Sequence, residues 1–262
     1  MRPLAQWPDE EVRRIRGVLT DIDDTLTAEG QIEAPALKAL HALQAAGVAV
    51  VAITGRPVGW SEPFARTWPL AAIVAENGSV ALQVGPDGAL IKHYQTPAAQ
   101  RQTDYAHLQG VLARIEASIP GARRAEDSAG RETDIAIDHS EYHHLSPEAI
   151  AKVVACMQSA GLTATVSSIH INGWIGPHNK WQGACWVLRE LWQRELPAEL
   201  DEWVYVGDST NDQWMFRHMR HSVGVANLRR FADQLTDPPR YITEGERGAG
   251  FAQVAARVLS GR

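Results

Sequence analysis

Residues 18–27 constrain the fold of this chain more than any other stretch. Two apolar residues, Val18 and Leu19, lead directly into a polar cluster that contains Asp21 and Asp23. An apolar run that turns polar this abruptly is typical of a buried parallel strand that ends at the edge of a sheet. The crevice beyond such strand ends is where open α/β sheets bind ligands. Two carboxylates this close repel each other unless a cation or a shared proton intervenes, so the stretch is either an acidic turn or a functional site.

The first 80 residues predict alternating strands and helices. A helix over residues 33–46 has Pro35 in its first turn and Gly47 just after its end. Continuous apolar runs at Val48–Ile53 and Ala71–Ala75 predict two more buried strands, with a helix between them that ends near Trp68. This β-α-β-α-β order indicates the beginning of a doubly wound parallel sheet.

The pattern changes after residue 80. Val80–Val84 and Ala89–Tyr94 flank turn residues and predict a hairpin. Asp134–Asp138 alternates like a strand with one exposed face, and Ser146 is placed to cap a helix that follows it. From Trp181 onward the alternation of helices and strands returns. We therefore predict an α/β fold in which residues 1–83 and 173–262 form a doubly wound parallel-sheet core, and residues 84–172 form an inserted α+β unit.

The bulk composition excludes several classes of protein. The 262 residues carry a formal net charge of −6 without a block of Lys or Arg, which argues against a nucleic-acid partner. No apolar run reaches the length of a membrane span, and the N-terminal residues do not resemble a signal peptide. We therefore expect a cytoplasmic protein without a membrane partner. Nothing in the sequence indicates its oligomeric state.

Four polar stretches follow predicted strands or begin helices: Asp21 with Asp23, Thr54-Gly55-Arg56, Lys180, and the segment 207–212. If the strands are parallel, the first, second and fourth of these emerge at the same edge of one sheet. Hard carboxylate oxygens without His or Cys suit Mg²⁺ rather than zinc. Carboxylates, a hydroxyl and an ammonium group together describe a site for a phosphoryl group.

The order of these motifs resembles the haloacid dehalogenase superfamily of aspartate-nucleophile phosphatases. The motifs are Asp-x-Asp-x-Thr, then Thr-Gly-Arg, then a lone Lys, then Gly-Asp-x-x-Asn-Asp. Glu76-Asn77-Gly78 and the segment 245–251 are similar to the branch with a large cap, which includes Cof-like proteins, sucrose phosphatases and mannosyl-3-phosphoglycerate phosphatases. The resemblance covers nearly the whole chain and implies that the insert is a cap domain.

The resemblance implies a catalytic role for each matching position. Asp21 corresponds to the nucleophile that forms an aspartyl-phosphate, and Asp23 to the general acid and base. Mg²⁺ would be held by Asp21, Asp208 and the backbone carbonyl of Asp23. Thr54 and Lys180 correspond to the groups that bind the phosphoryl oxygens.

The same comparison extends to supporting residues. Gly55 would join the phosphate site, and Asn211 and Asp212 would orient Lys180 and metal-bound water. Asp24 departs from the pattern, because many relatives have glycine there, and its role stays open. Asp208 and Asp212 are also placed to cap a helix, an alternative that does not account for Lys180.

Four residues are candidates for contacting the substrate: Arg56, His170, Asn172 and Trp174. The last three lie in a stretch that mixes hydrogen-bonding side chains with an indole, which suits a polyhydroxylated ligand. An edge strand in which Trp174 anchors a hinge explains the same pattern. His139, His143 and His144 are better explained as surface or substrate-contacting residues than as a metal cluster.

We expect a Mg²⁺-dependent phosphatase that acts on a small phosphorylated metabolite, with a sugar phosphate as the first candidate. Two alternatives remain open. A phosphomutase would return the phosphoryl group to a second position of the sugar, and a non-catalytic regulator would only bind a phosphorylated ligand. The sequence does not identify the substrate.

Overall fold

The computed structural model describes residues 1–262. It contains fifteen strands: β1 Arg2–Pro3, β2 Gly17–Thr20, β3 Thr27–Ala28, β4 Gln31–Ile32, β5 Ala49–Ile53, β6 Ala72–Ala75, β7 Val80–Val84, β8 Leu90–Tyr94, β9 Arg123–Arg124, β10 Asp134–Asp138, β11 Thr163–Val166, β12 His170–Trp174, β13 Trp203–Gly207, β14 His221–Gly224 and β15 Tyr241–Ile242.

Eight α-helices connect and cover these strands: α1 Asp9–Val12, α2 Ala34–Ala45, α3 Val58–Thr67, α4 Ala98–Ser118, α5 Pro147–Ser159, α6 Lys180–Trp192, α7 Gln213–His218 and α8 Arg247–Leu259. None of them combines the length and the apolarity that crossing a membrane requires.

The main sheet has nine strands in the order β1-β15-β14-β13-β2-β5-β6-β7-β8. Every pair from β1 to β6 is parallel, whereas the β6–β7 and β7–β8 pairs are antiparallel. Neighbouring residues of β2 enter different cores, since Val18 packs into one apolar cluster and Leu19 into another. Both faces of the sheet are therefore buried, as in doubly wound folds, and the predicted fold class is confirmed.

A second sheet, with strand order β11-β12-β10-β9, is antiparallel and has its own apolar cluster beneath α4 and α5. Ser146 Oγ accepts a hydrogen bond from the backbone N–H of Ala149 and so caps α5, as its sequence pattern predicts. The exposed face expected for β10 is wrong, because all five of its residues are buried. Asp134 and Asp138 are both fully buried, and their carboxylates accept hydrogen bonds from groups on either side of the strand.

Strand pairing bears on where the insert begins and ends. The sequence places the boundaries at 84 and 172, but β8 pairs with β7 in the main sheet, and β12 continues in the second sheet as far as Trp174. Strands that share backbone hydrogen bonds belong to the same sheet, so β8 belongs to the core and the whole of β12 to the cap. We propose residues 96–177 as the inserted cap and the remaining residues as the core.

Candidate functional site

The carboxyl ends of the central strands of the main sheet bring the predicted motifs together. The chain continues the sheet for one residue beyond β2, since the backbone N–H of Asp21 donates to the Val206 carbonyl. Beyond β5, the N–H of Thr54 donates to the Val74 carbonyl in the same way. Parallel alignment places the ends of β2, β5 and β13 at one edge, which is where the sequence predicts the site.

Lys180 connects two of these motifs. Its Nζ lies 2.6 Å from Asp21 Oδ1 and 2.6 Å from Asp212 Oδ1, and its side chain is 1% exposed. Burial by itself lowers the pKa of an ammonium group, but the carboxylates of Asp21 and Asp212 outweigh it and raise the pKa of Lys180 above its ordinary value. Lys180 is the first residue of α6, which Asn179 caps by accepting the N–H of Gln182.

Asp212 has no free lone pair directed at a ligand. Its Oδ1 also accepts the hydroxyl of Tyr205 at 2.5 Å, and its Oδ2 accepts the backbone N–H groups of Asp208 and Ser209. A carboxylate with both oxygens occupied positions its neighbours rather than binding a metal. Asp212 thus holds Lys180 and the loop after β13, which agrees with the supporting position that the sequence suggests.

Asp208 has the opposite character. It is fully buried, its Oδ1 has no hydrogen-bond partner, and its Oδ2 accepts Asn227 Nδ2 and Arg230 Nη2, each at 3.2 Å. Burial and the nearby carboxylate of Asp21 raise the pKa of Asp208 well above its ordinary value. A buried carboxylate oxygen without a donor is costly unless a cation binds it.

Carboxylate oxygens of Asp21, Asp208 and Asp212 lie within 4.8 Å of one another and are all buried. Burial and the charge of Asp212 raise the pKa of Asp21 above its ordinary value, although Lys180 opposes the change. Because Lys180 occupies Asp21 Oδ1, Asp21 Oδ2 and Asp208 Oδ1 are the oxygens left for a metal ion. An all-oxygen donor set of this kind fits a hard divalent cation.

Thr54 and Gly55 form the second side of the site. Thr54 is fully buried, and its Oγ1 accepts the backbone N–H of Arg56 at 3.0 Å, which leaves its O–H to donate. The carbonyl of Gly55 accepts Arg131 Nη1 at 3.0 Å and Asn172 Nδ2 at 3.3 Å. Both donors come from the second sheet and its preceding loop, so the cap is bonded directly to the Thr54-Gly55 motif.

Arg56 joins the general-acid candidate to the cap. Its Nε lies 3.0 Å from Asp23 Oδ1, and its guanidinium also bonds Glu141 at 2.6 Å and Asp127 at 3.2 Å. Burial would lower the pKa of Arg56, but these three carboxylates raise it. His170 Nε2 lies 2.8 Å from the second oxygen of Glu141, so the predicted candidates Arg56 and His170 meet through a residue that the sequence did not single out.

Glu141 owes its position to Asp138. The two Asp138 carboxylate oxygens accept the backbone N–H groups of residues 140–143 and so hold this loop over the site. Glu141 is half-buried; burial tends to raise its pKa, but the hydrogen bonds from His170 and Arg56 lower it to about 2. The only sequence signal for this arrangement was an aspartate ending a strand before a polar loop, which is too common to be informative.

Glu76 forms another bond between core and cap that sequence reasoning missed. It is fully buried directly after β6, and its carboxylate accepts the N–H groups of Val58, Glu132 and Thr133. Burial raises its pKa, whereas these hydrogen bonds lower it in part. In the cap, burial raises the pKa of Asp134 to about 8 despite its 2.7 Å bond from Arg131.

Of the two remaining predicted residues, Asn211 lies at the site and Trp174 lies outside it. Asn211 lies beside the nucleophile candidate and accepts the hydroxyl of Ser209. Trp174 does not reach the site. Its buried indole donates to the His178 carbonyl and stacks on the His178 ring where the chain returns to the core, which favours the anchoring alternative. Its strand is nonetheless an inner strand of the cap sheet, not an edge strand.

Two cavities adjoin Asp23. A space of about 10 Å³ lies between Asp21, Gly55 and the cap residue His170, which is room for about one water molecule. A larger cavity of about 370 Å³ opens on the other side of Asp23, between the core and the cap loop that carries Glu141. Of its 13 lining residues, 2 are hydrophobic, so it suits a strongly polar molecule.

Comparison with known proteins agrees with this architecture. Residues 18–112 match the family model described as haloacid dehalogenase-like hydrolase. A phosphoglycolate phosphatase of Methanothermobacter thermautotrophicus is 24% identical over 253 residues, which cover 94% of this chain and 99% of that protein.

Solved structures share the fold at low sequence identity. Protein 0175 of Thermoplasma acidophilum superimposes with a TM-score of 0.71 at 18% identity, covering 94% of this chain and 98% of that one. The sucrose-phosphatase of Synechocystis sp. PCC6803, solved with sucrose and phosphate, has a TM-score of 0.65 at 17% identity and covers the same shares. With its motifs brought to one sheet edge, this chain is similar to haloacid dehalogenase-like hydrolases over residues 18–112 and to a phosphatase over nearly its whole length.

Proposed function

We propose that this protein is a Mg²⁺-dependent phosphatase that transfers the phosphoryl group of a small, polar metabolite to Asp21 and then to water. The observation that carries the proposal is the placement of Lys180 between Asp21 and Asp212, next to an unpartnered oxygen of Asp208. A buried ammonium and two open carboxylate oxygens provide the charges that a phosphoryl group and its counter-ion require.

In the first half of the reaction, a carboxylate oxygen of Asp21 attacks phosphorus while the bond from phosphorus to the leaving oxygen breaks. Asp23 donates its proton to that oxygen, so the alcohol leaves neutral. Thr54 and Lys180 bind the phosphoryl oxygens and stabilise the charge that they carry in the transition state. Asp21, Asp208 and the Asp23 carbonyl would hold Mg²⁺, which would supply further positive charge to this site.

In the second half, a water molecule attacks the phosphorus of the aspartyl-phosphate, and Asp23 accepts its proton. The bond between phosphorus and Asp21 breaks, which releases phosphate and restores the carboxylate. Arg56 engages both oxygens of Asp23 in the present arrangement. That contact has to be released before Asp23 faces a leaving group, so substrate entry and cap movement are coupled through Arg56.

The substrate candidates differ in their non-phosphate part. A sugar phosphate suits the cavity beside Asp23, since side chains that bear hydroxyls and charges match its hydroxyl groups. A phosphorylated hydroxy acid is the second candidate. Two observations favour it. The relative that matches this chain over nearly its whole length is a phosphoglycolate phosphatase, and two arginines, Arg230 and Arg247, line the same cavity. The cytoplasmic location expected from the sequence stays a prediction.

Phosphate release in the presence of Mg²⁺ tests the proposal across hexose phosphates, disaccharide phosphates and 2-phosphoglycolate. Release that requires both Mg²⁺ and Asp21 supports it. Isomerisation of a sugar phosphate without phosphate release would indicate the phosphomutase instead. Binding of these compounds without any turnover, including that of acetyl phosphate, would indicate the non-catalytic regulator.

A further inference from the structure

Asp24, which follows the general-acid candidate, is held by two arginines from distant parts of the chain. Arg230 Nη2 lies 3.0 Å from Asp24 Oδ2, and Arg247 Nε lies 2.9 Å from Asp24 Oδ1. Asp24 adopts a left-handed backbone conformation, with φ of 55°, which is costly for a residue other than glycine. The two ion pairs offset that cost and give a function to a residue that departs from the family pattern.

The backbone of this region is fixed by Asn227. Its Nδ2 donates to the Asp24 carbonyl at 3.0 Å and also to Asp208 Oδ2, while its Oδ1 accepts the N–H of Arg247. One amide thus connects the nucleophile loop, the metal-site carboxylate and the start of α8. The two arginines are consequently presented from a braced backbone to the cavity, although their side chains are 42% and 35% exposed.

The charges around the cavity are unevenly divided. On one side, Arg56 is matched by Asp23, Asp127 and Glu141. On the other side, two guanidinium groups share the single carboxylate of Asp24.

Arg230 also lies 3.2 Å from Asp208 Oδ2, while the other oxygen of that carboxylate, Oδ1, is the one open to a metal ion. Glu29, the remaining acidic lining residue, is exposed at the rim and makes no ion pair.

Several N–H groups of the two arginines remain without protein acceptors. Arg230 donates hydrogen bonds through Nη2 alone, and the guanidinium of Arg247, although its Nε lies 2.9 Å from Asp24 Oδ1, donates none. Guanidinium groups bind carboxylates with paired hydrogen bonds. Both line the cavity of about 370 Å³ that begins at Asp23, where the leaving group of a substrate would lie.

We propose that Arg230 and Arg247 form an anionic subsite that recognises a carboxylate on the leaving group, so that the preferred substrates are phosphate esters of hydroxy acids. This inference rests on the proposed function for the position of the leaving group. Asp24 holds the two guanidinium groups in place, and their N–H groups without protein acceptors are available to the second negative charge of the substrate.

Matched substrates test the subsite. Catalytic efficiency is measured for 2-phosphoglycolate against 2-hydroxyethyl phosphate, and for 3-phosphoglycerate against glycerol 3-phosphate, so that each pair differs at one carboxylate. We expect ratios of about 10 to 100 in favour of the acid, as one or two charge-assisted hydrogen bonds imply. In Arg230→Gln and Arg247→Gln the ratio should fall at least about tenfold. Arg229→Gln, which changes the exposed neighbouring arginine, should leave it as it was.

The subsite would be refuted if the ratio of catalytic efficiencies were near one in the unchanged protein, or if neither substitution lowered it. The ion pairs of Asp24 with the two arginines would then be purely structural. Binding to the Asp21→Asn protein is measured by calorimetry in parallel. There 2-phosphoglycolate should bind more tightly than 2-hydroxyethyl phosphate, and Arg247→Gln should abolish the difference. This binding measurement tests the subsite independently of turnover. Failure to release phosphate from any of these esters and from acetyl phosphate would count against the proposed function alone.

Discussion

Lys180 Nζ lies 2.6 Å from Asp21 Oδ1, although the two residues are 159 positions apart in the chain. The contact forms because β2 ends at the sheet edge where α6 begins, and because both side chains are buried there. A buried ion pair of this kind is weak evidence for stability, since desolvation offsets much of its attraction. Chemistry at Asp21 explains this buried pair better than stability does, and the experiments below test this site and the charged groups around it.

Asp21→Asn should abolish phosphate release, with a loss of roughly 10⁴-fold or more, because an amide oxygen cannot form the acyl phosphate. The fold should persist, as the amide still accepts a hydrogen bond from Lys180. Phosphate release and circular dichroism are the measurements. Asp233→Asn, at an exposed aspartate, is the matched control. Substantial activity in well-folded Asp21→Asn protein would refute the nucleophile assignment.

Chelation with EDTA should stop phosphate release, and Mg²⁺ should restore it. Mg²⁺ should also raise the melting temperature of the unchanged protein, since binding to the folded state relieves the repulsion between Asp21 and Asp208. In Asp208→Asn that thermal shift should largely disappear, because the unpartnered Oδ1 no longer belongs to a carboxylate. Equal shifts in both proteins would place the metal elsewhere, and full activity after exhaustive chelation would remove it from the reaction.

Glu141→Gln should loosen the cap and lower the free energy of unfolding at pH 7 by about 1 to 3 kcal/mol, because it weakens charge-assisted bonds to Arg56 and His170. Its folded pKa of about 2 lies below the ordinary value, so the stabilisation is present above pH 4.5 and is lost as the pH falls towards 2. Urea titrations of both proteins across this range measure the difference.

The two curves should therefore converge in acid. Glu126→Gln provides a control on the same side of the cap, since that carboxylate is exposed and unpaired. A constant gap between Glu141→Gln and the unchanged protein from pH 7 to pH 2 would contradict the ion-pair explanation.

His178 should make the protein sensitive to mild acid. Burial lowers its pKa to about 4, and its Nε2 has no hydrogen-bond partner. Between pH 6.5 and 4 the unfolded chain binds a proton that the folded chain does not, so stability decreases as the pH falls through this window. His178→Phe keeps an aromatic ring against Trp174 but cannot bind a proton. The free energy of unfolding should therefore lack this acid-induced decrease, which is on the order of 1–3 kcal/mol in the unchanged protein. Parallel melting curves for the two proteins over this range would show that His178 is not the cause.

The sequence predicted the core of the fold closely because its signals are local. Continuous apolar runs such as Val48–Ile53 identify strands buried on both faces, and residues such as Ser146 and Gly47 mark helix ends. Such signals predict the fold class. The rule that parallel strands end at one edge then predicts that the motifs lie together. The resemblance of the motifs to a known superfamily then predicted the reaction type.

The sequence alone could not determine the cap boundaries or the cap contacts. The sequence predicts the hairpin of β7 and β8, but whether this hairpin joins the main sheet depends on the pairing of β7 with β6, which no local pattern encodes. Tertiary structure likewise decided that the buried Asp134 carboxylate accepts a hydrogen bond from Asn172, 38 positions along the chain. The partners of Asp138 are instead local, since its carboxylate accepts the backbone N–H groups of residues 140–143.

The same distinction holds within the site. By itself, the sequence determined which residue types could carry phosphoryl chemistry: carboxylates, a threonine and one lysine at strand ends. Only the tertiary structure decided that Asp212 is saturated while Asp208 has a free oxygen, and that Arg230 and Arg247 converge on Asp24. The physical reason is that ion-pair partners and burial depend on spatial neighbours, and for these residues the neighbours lie up to 223 positions away along the chain.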